Sequence, residues 1–76
     1  MDAAAINDFQ PRAQAALAAS PFYELRDLSV KRCQDALLIS GRVSSFYYKQ
    51  LAQEVVRSVC SGIPLINSTE VRPEED

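Results

Sequence analysis

The stretch from Tyr48 to Val59 constrains the fold of this chain most, because its apolar residues recur with helical spacing. Its apolar positions are Tyr48, Leu51, Ala52, Val55, Val56 and Val59, and polar or charged residues fill the positions between them. Steps of three and four residues bring these side chains to one face of an α-helix. Ser44 is a suitable N-cap residue, and Gly62 followed by Pro64 is typical of a helix end. The apolar face must be buried, so the rest of the chain has to cover it.

Two strands are predicted before this helix, because the apolar period there is two residues. The first covers residues 23–32 and the second residues 36–43, with a polar break at residues 33–35. Their inward positions are Leu28, Val30, Leu37, Ile39 and Val43. The short break predicts an antiparallel hairpin. Gly41 falls on the inward face, where a missing side chain lets another backbone come close, and we expect a helix to cross there.

The two ends of the chain complete an αββαβ order. Asp8 can cap a first helix over residues 9–19, which stops before Pro21. Residues 65–72 form a last strand, and Asn67 is expected to fix the backbone that enters it. A right-handed crossover through the long helix makes this strand parallel to the second one. We therefore predict an α+β fold in which two helices pack on one face of a three-stranded mixed sheet.

One small core is expected from a chain of 76 residues. Its predicted members are Leu17, Leu28, Val30, Leu37, Ile39, Val43, Leu51, Val55, Val56 and Val59. The domain covers residues 9–72, between an N-terminal extension at 1–8 and an acidic tail at 73–76. Cys33 and Cys60 are expected at the same end of the fold but on opposite sides of the sheet, which predicts two free thiols and no disulfide.

The composition argues against several classes of function. A net charge of -2 provides no general attraction for nucleic acid. Histidine is absent, and two cysteines without close spacing do not suit a zinc knuckle. Two glycines cannot build a phosphate-binding loop, and no nucleophile with a base is recognisable. We therefore expect no enzyme, no cofactor and no metal site.

Several short motifs follow one another in a set order. They are Ile39-Ser40-Gly41-Arg42-Val43, then Ser44, Leu51-Ala52 through Val59, Gly62-Ile63, Asn67 and Val71. Together they resemble the BON domain, a bacterial module named after an osmotically induced periplasmic protein and nodulation proteins. The likeness covers nearly the whole chain. Two features differ from the pattern: Gln34-Asp35 replaces the usual Asn-Gly or Asp-Gly turn, and the segment between Gly62 and Asn67 is slightly short.

The resemblance implies a non-catalytic binding module that contacts a protein partner or a phospholipid or envelope surface. The alternative is a structural or self-assembly domain that acts through its sheet edges, and an enzyme has the least support. We expect a monomer without a transmembrane segment. The first residues carry neither the basic residue nor the apolar run of an export signal, so a cytoplasmic location is expected if Met1 is the native start. A periplasmic location would follow if an export signal had been removed.

Phe46 and Tyr47 are the residues that the helical pattern leaves unexplained. At 100° per residue they project on the polar side of the helix, beside Lys49 and downstream of Arg42. Aromatic rings exposed next to basic side chains are typical of a binding interface. The candidate binding residues are therefore Arg42, Phe46, Tyr47 and Lys49. In the alternative interpretation both rings tuck against the strand ends or the first helix.

Overall fold

The computed structural model describes residues 3–73 and confirms the α+β class. In chain order the elements are α1 (Ala3–Ala18), α2 (Tyr23–Arg26), β1 (Ser29–Cys33), β2 (Ala36–Ser40), β3 (Arg42–Val43), α3 (Phe46–Val59), β4 (Leu65–Asn67) and β5 (Glu70–Val71). Helices α1 and α3 pack against a mixed sheet with the order β1-β2-β4, and β3 pairs with β5. Apart from Pro73, the predicted acidic tail lies outside the described residues.

The second and the last predicted strands are each divided in two, but their pairing is continuous. The β1–β2 pair is antiparallel, and β2–β4 and β3–β5 are parallel, as predicted. Before the break Ile39 lies opposite Asn67. After the break Arg42 lies opposite Glu70, so the offset in residue number between the paired strands is the same on both sides of the break. Across the break the Glu70 amide donates a hydrogen bond to the Gly41 carbonyl (2.9 Å), so the two halves form one bent ladder.

A two-residue turn at Gln34 and Asp35 joins β1 to β2. Gln34 has a φ of 55°. This left-handed conformation costs a residue with a Cβ atom about 1 kcal/mol. The Arg32 guanidinium donates to the Gln34 carbonyl (3.0 Å) and holds the turn. The hairpin therefore forms without a glycine in its turn.

Gly41 interrupts the second strand because Leu28 lies directly against it. Its φ is 134°, and a Cβ atom there would lie 2.6 Å from Leu28 Cδ2 and 3.4 Å from Leu28 Cα. The predicted close approach of a second backbone is confirmed. The prediction that a helix crosses at Gly41 was wrong, because the hairpin register pairs Ser29 with Ser40 and so brings the residue before β1 to this point.

Most of the predicted core is buried in one cluster. Its buried members are Leu17, Leu28, Val30, Leu37, Ile39, Val43 and Val56, with Leu51 and Val55 half-buried against it. Val59 is 36% exposed, so its inclusion was wrong. Since α3 ends there, Cys60 takes the inward position at the C-cap instead. Leu25 and Ile63 also belong to the core and were not predicted.

Helix α1 was predicted to begin at residue 9, but it begins at Ala3. Asp8 therefore lies inside the helix and does not cap it, and residues 3–8 are part of α1 and not an extension. The alanines before Asp8 have the highest helix propensity, so they prolong the helix through Pro11 although its ring removes one hydrogen bond. Arg32 ties this half of α1 to the hairpin through the side chain of Asn7 (3.4 Å).

The first part of the first predicted strand is the helical turn α2. Leu25 and Leu28 are both buried and lie three residues apart, which is the spacing of a helical turn. The prediction was wrong because the alternation of Leu28 and Val30 was extended backwards over residues 23–26. Only residues from Ser29 onward pair with β2.

Helix α3 confirms the predicted amphipathic helix, with a different cap. The Ser45 hydroxyl accepts a hydrogen bond from the Tyr48 amide (3.4 Å), so Ser45 is the N-cap and not Ser44. After the helix Gly62 has a φ of 86°, a conformation that favours glycine. The chain can then return toward the sheet through Pro64.

Two glutamines of α1 cover the outer edge of β1. Gln14 accepts from the Val30 amide (2.9 Å) and donates to the Leu28 carbonyl (2.8 Å). Gln10 donates to the Val30 carbonyl (2.5 Å). The side-chain amides therefore take the place of a neighbouring strand, which protects this edge from pairing with another chain.

We expect Gln14→Ala to lower the free energy of unfolding by about 1 to 2 kcal/mol, because it removes two partly buried hydrogen bonds. Urea unfolding followed by circular dichroism measures the change. Gln50→Ala is the matched control, since the Gln50 side chain is exposed and its hydrogen bond to Glu54 spans 3.4 Å. Equal stability of the two variants would contradict the role of Gln14.

We expect Gly41→Ala to destabilise the fold by about 2 kcal/mol or more, because it combines backbone strain with the contact against Leu28. The control is Gly62→Ala, at an exposed residue whose φ is also positive. Thermal unfolding should show the larger loss for Gly41→Ala. If the two losses are equal, the Leu28 contact has no energetic consequence.

Candidate functional site

Both aromatic residues of the predicted binding set are exposed. Phe46 is 74% and Tyr47 is 63% exposed, and they are the first two residues of α3. The alternative in which both rings tuck against the fold was therefore wrong. Arg42 is also exposed, whereas Lys49 is half-buried.

A third ring supports Tyr47 from the side of the core. The Tyr48 ring meets the Tyr47 ring edge to face, with centroids 5.4 Å apart, and meets the Phe22 ring at 6.0 Å. Each such pair contributes about 0.5 to 1.5 kcal/mol beyond the burial of its area. Because Tyr48 and Phe22 pack against the core cluster, the exposed Tyr47 ring is connected to the core through Tyr48.

Glu24 anchors α2 to the segment that leads into α3. One carboxylate oxygen accepts from the Ser44 amide (2.7 Å), and the other accepts from the Ser44 hydroxyl (2.8 Å). Hydrogen bonds to an ionised carboxylate are about twice as strong as neutral ones. Glu24 was not among the predicted binding residues, because residues 23–32 were predicted to form a strand. The spacing of Leu25 and Leu28 was the signal that could have revealed it.

An open groove of about 400 Å³ lies between α2 and the ends of β3 and β5. Its polar and charged walls are formed by Tyr23, Glu24, Asp27, Arg42, Ser44 and Arg72. We call it the α2–β3 groove. Arg42 is the one member that the predicted binding set shares with it. The other members were not predicted, because α2 was not recognised.

The two arginines of the α2–β3 groove differ in their partners. Arg72 donates from Nε to the Glu70 carboxylate (2.6 Å), and both side chains are more than half exposed. Such an exposed pair contributes at most about 1 kcal/mol. The Arg42 guanidinium has no hydrogen bond or ion pair to another side chain in the described part of the chain. It is therefore available to a ligand.

The structure divides the predicted binding residues into neighbouring groups. Within residues 3–73 no cation–π contact joins Arg42 or Lys49 to the ring of Phe46 or Tyr47. Arg42 lies in the α2–β3 groove, and the two rings lie at the start of α3. Lys49 lies toward β4, where its backbone carbonyl accepts from Asn67 (2.9 Å).

Asn67 links β4 to α3, and it also forms a hydrogen bond within the segment between β4 and β5. Its amide nitrogen donates to the Lys49 carbonyl and to the side chain of Gln53 (3.3 Å). Its oxygen accepts from the Thr69 amide (3.2 Å), which bends the chain between β4 and β5. The predicted role of Asn67 in fixing the backbone is confirmed.

Other kinds of site find no support in this geometry. Between residues 3 and 73, no group of three or more cysteine or carboxylate side chains is placed to hold a metal ion. None of the helices in the same range has the length and apolar character that a membrane crossing requires.

No known family model matches this chain, and no curated protein matches it significantly. Function is therefore inferred from two features, the aromatic pair at the start of α3 and the charged groove beside it.

The two cysteines differ in environment. Cys33 is exposed, whereas Cys60 is buried at 1% exposure and its thiol lies 3.6 Å from the Phe9 carbonyl, to which it donates. Burial raises the pKa of the Cys60 thiol, and the nearby Arg12 lowers it in part. A raised pKa leaves less of the reactive thiolate at neutral pH.

We therefore expect Cys33 of the native protein to react with a thiol reagent at pH 7.5 much faster than Cys60. Unfolding should make both react at similar rates, and two thiols should be counted in all. Mass spectrometry after limited alkylation identifies the modified residue. Equal native rates, or fewer than two thiols after unfolding, would contradict this assignment.

Proposed function

We propose that this chain is a non-catalytic BON-type binding module, which contacts a protein partner or a phospholipid or envelope surface. The binding residues are Arg42, Phe46, Tyr47 and Lys49. The observation that supports this proposal most is the exposure of two adjacent aromatic rings at the start of α3. The likeness to the BON motifs and the αββαβ order agree with it.

Transfer of an exposed aromatic ring from water into an interface with a partner lowers the free energy. Burial of one large apolar side chain contributes about 1.5 to 3 kcal/mol. Tyr47 can supply this without rearrangement, because the Tyr48 ring already supports the Tyr47 ring. Large rigid rings of this kind are frequent at the centre of protein interfaces.

The cations around the rings favour an anionic partner. Arg42 and Lys49 lie before and after them in sequence, and the first amides of α3 add partial positive charge. Two basic side chains contribute only about 1 kcal/mol each at an anionic membrane surface, so attachment to lipid alone would be weak.

The alternative, assembly through sheet edges, has less support from the contacts. Gln10 and Gln14 occupy the edge of β1 with side-chain hydrogen bonds. At the opposite edge the bend after Asn67 leaves only the short strands β4 and β5. Short and interrupted edge strands are poor templates for pairing.

The test is to titrate vesicles containing phosphatidylglycerol, and separately a panel of synthetic peptides, into isotope-labelled protein while backbone NMR shifts are followed. We expect the perturbed amides to cluster at the start of α3. Tyr47→Ala and Phe46→Ala should each weaken binding about fivefold or more, because each removes a ring that the partner buries.

Ile66→Ala is the control variant, since Ile66 is an exposed apolar residue of β4 and lies outside the predicted binding set. It should bind like the unaltered chain. If perturbed amides lie elsewhere, or if both ring variants bind as tightly as the control, the aromatic pair is not the binding surface.

A further inference from the structure

The α2–β3 groove contains two arginines that approach from adjoining strands. Arg42 belongs to β3, and Arg72 follows directly after β5. Because Arg42 lies opposite Glu70 in the parallel pair, Arg72 is two residues farther along the neighbouring strand and points to the same side. The guanidinium of Arg42 is unpaired among the described residues, and Arg72 uses only Nε to bind Glu70. Several N–H donors therefore face the groove together.

The opposite wall of the groove is acidic. Glu24 has both oxygens engaged by Ser44. The Asp27 side chain has no hydrogen bond or ion pair to a described residue, and it lies more than 4 Å from the arginine donors, since no salt bridge forms. The carboxylates of Glu24 and Asp27 would repel an extended anionic surface such as a lipid headgroup layer. A single carboxylate that enters between the arginines avoids most of this repulsion.

The groove also lies close to the exposed rings. Ser44 lines the groove and Phe46 follows two residues later, so their backbones are at most about 7 Å apart. An extended peptide can place one side chain in the groove and the next ones on the rings. A volume of about 400 Å³ is large enough for a side chain and part of its backbone.

We propose that the α2–β3 groove binds an acidic side chain of a protein partner between Arg42 and Arg72, while Phe46 and Tyr47 hold the neighbouring apolar residues. This rests on the proposed binding function and names the partner as a protein segment. Planar guanidinium groups match a carboxylate with two parallel hydrogen bonds. Asp27 adds specificity, because it disfavours segments with several adjacent acidic residues.

The probe is a capped synthetic peptide with one glutamate flanked by leucine and tyrosine, compared with the same peptide carrying glutamine. NMR titration should show stronger binding of the glutamate peptide and shifts at Tyr23, Ser44 and the Arg42 and Arg72 side chains. Binding should weaken as salt is added, since the pair is partly exposed. Phosphatidylglycerol vesicles should leave the signals of Tyr23 and of the Arg72 side chain unchanged, because these residues lie in the groove and outside the aromatic surface.

Arg72→Gln separates this proposal from the function proposed above, because Arg72 lies in the groove and outside the predicted binding set. It should weaken binding of the glutamate peptide about two- to fivefold, as expected for a partly exposed charge pair, and should leave the glutamine peptide unaffected. Arg57→Gln, an exposed arginine in the last turn of α3, removes the same charge elsewhere and should have no such effect.

Three results would overturn the groove assignment: equal binding of the two peptides, an equal effect of Arg72→Gln and Arg57→Gln, or vesicle-induced shifts at Tyr23 and the Arg72 side chain. If Tyr47→Ala loses peptide binding and Arg72→Gln does not, the aromatic surface is supported as the binding site and the groove assignment is wrong. Unchanged binding in both Tyr47→Ala and Arg72→Gln would reject the aromatic surface as well. Both arginines are exposed, so the variants should fold, and the amide spectrum of each one checks this.

Discussion

The contact between Gly41 and Leu28 is the constraint on which the rest of this fold depends. The hairpin brings Leu28 so close to the second strand that position 41 has no room for a side chain. The strand bends there, and the parallel partner bends with it while the register is kept. After the interruption β3 and β5 form a separate strand pair, and the short helix α2 contacts β3. The α2–β3 groove is lined by residues of α2, of β3 and of the segment after β5.

Side-chain hydrogen bonds then hold the elements that the small core cannot hold by packing alone. Gln10 and Gln14 join α1 to β1, Glu24 joins α2 to Ser44, and Asn67 joins the last strands to α3. Each of these links includes a hydrogen bond to a backbone group of the neighbouring segment. A domain of this size buries only about 60% of the surface of its unfolded chain, so such links are a sizeable part of its stability.

The candidate surface combines a rigid apolar part and a charged part. Tyr48 joins the core to the exposed Tyr47 ring, and Arg42 and Arg72 face the groove on the other side of Ser44. A partner that uses both parts must be apolar at one point and acidic at the next. The proposed contact is more selective than attraction to a negatively charged surface, and it depends on two local arginines and not on the net charge of the chain, which is -2.

The sequence by itself determined the αββαβ order, the amphipathic face of α3 and most of the core, because each follows from the spacing of apolar residues. It left two interpretations of Phe46 and Tyr47 open, and the structure shows that both side chains are exposed. The early start of α1 and the helical turn at residues 23–26 have local signals in the sequence, the alanines before Asp8 and the spacing of Leu25 and Leu28, although neither element was predicted there. Only the tertiary structure decided which serine caps α3, because Ser44 is held by Glu24, which is distant in sequence. The groove is also a tertiary feature, since α2, β3 and Arg72 come together only after the chain has folded.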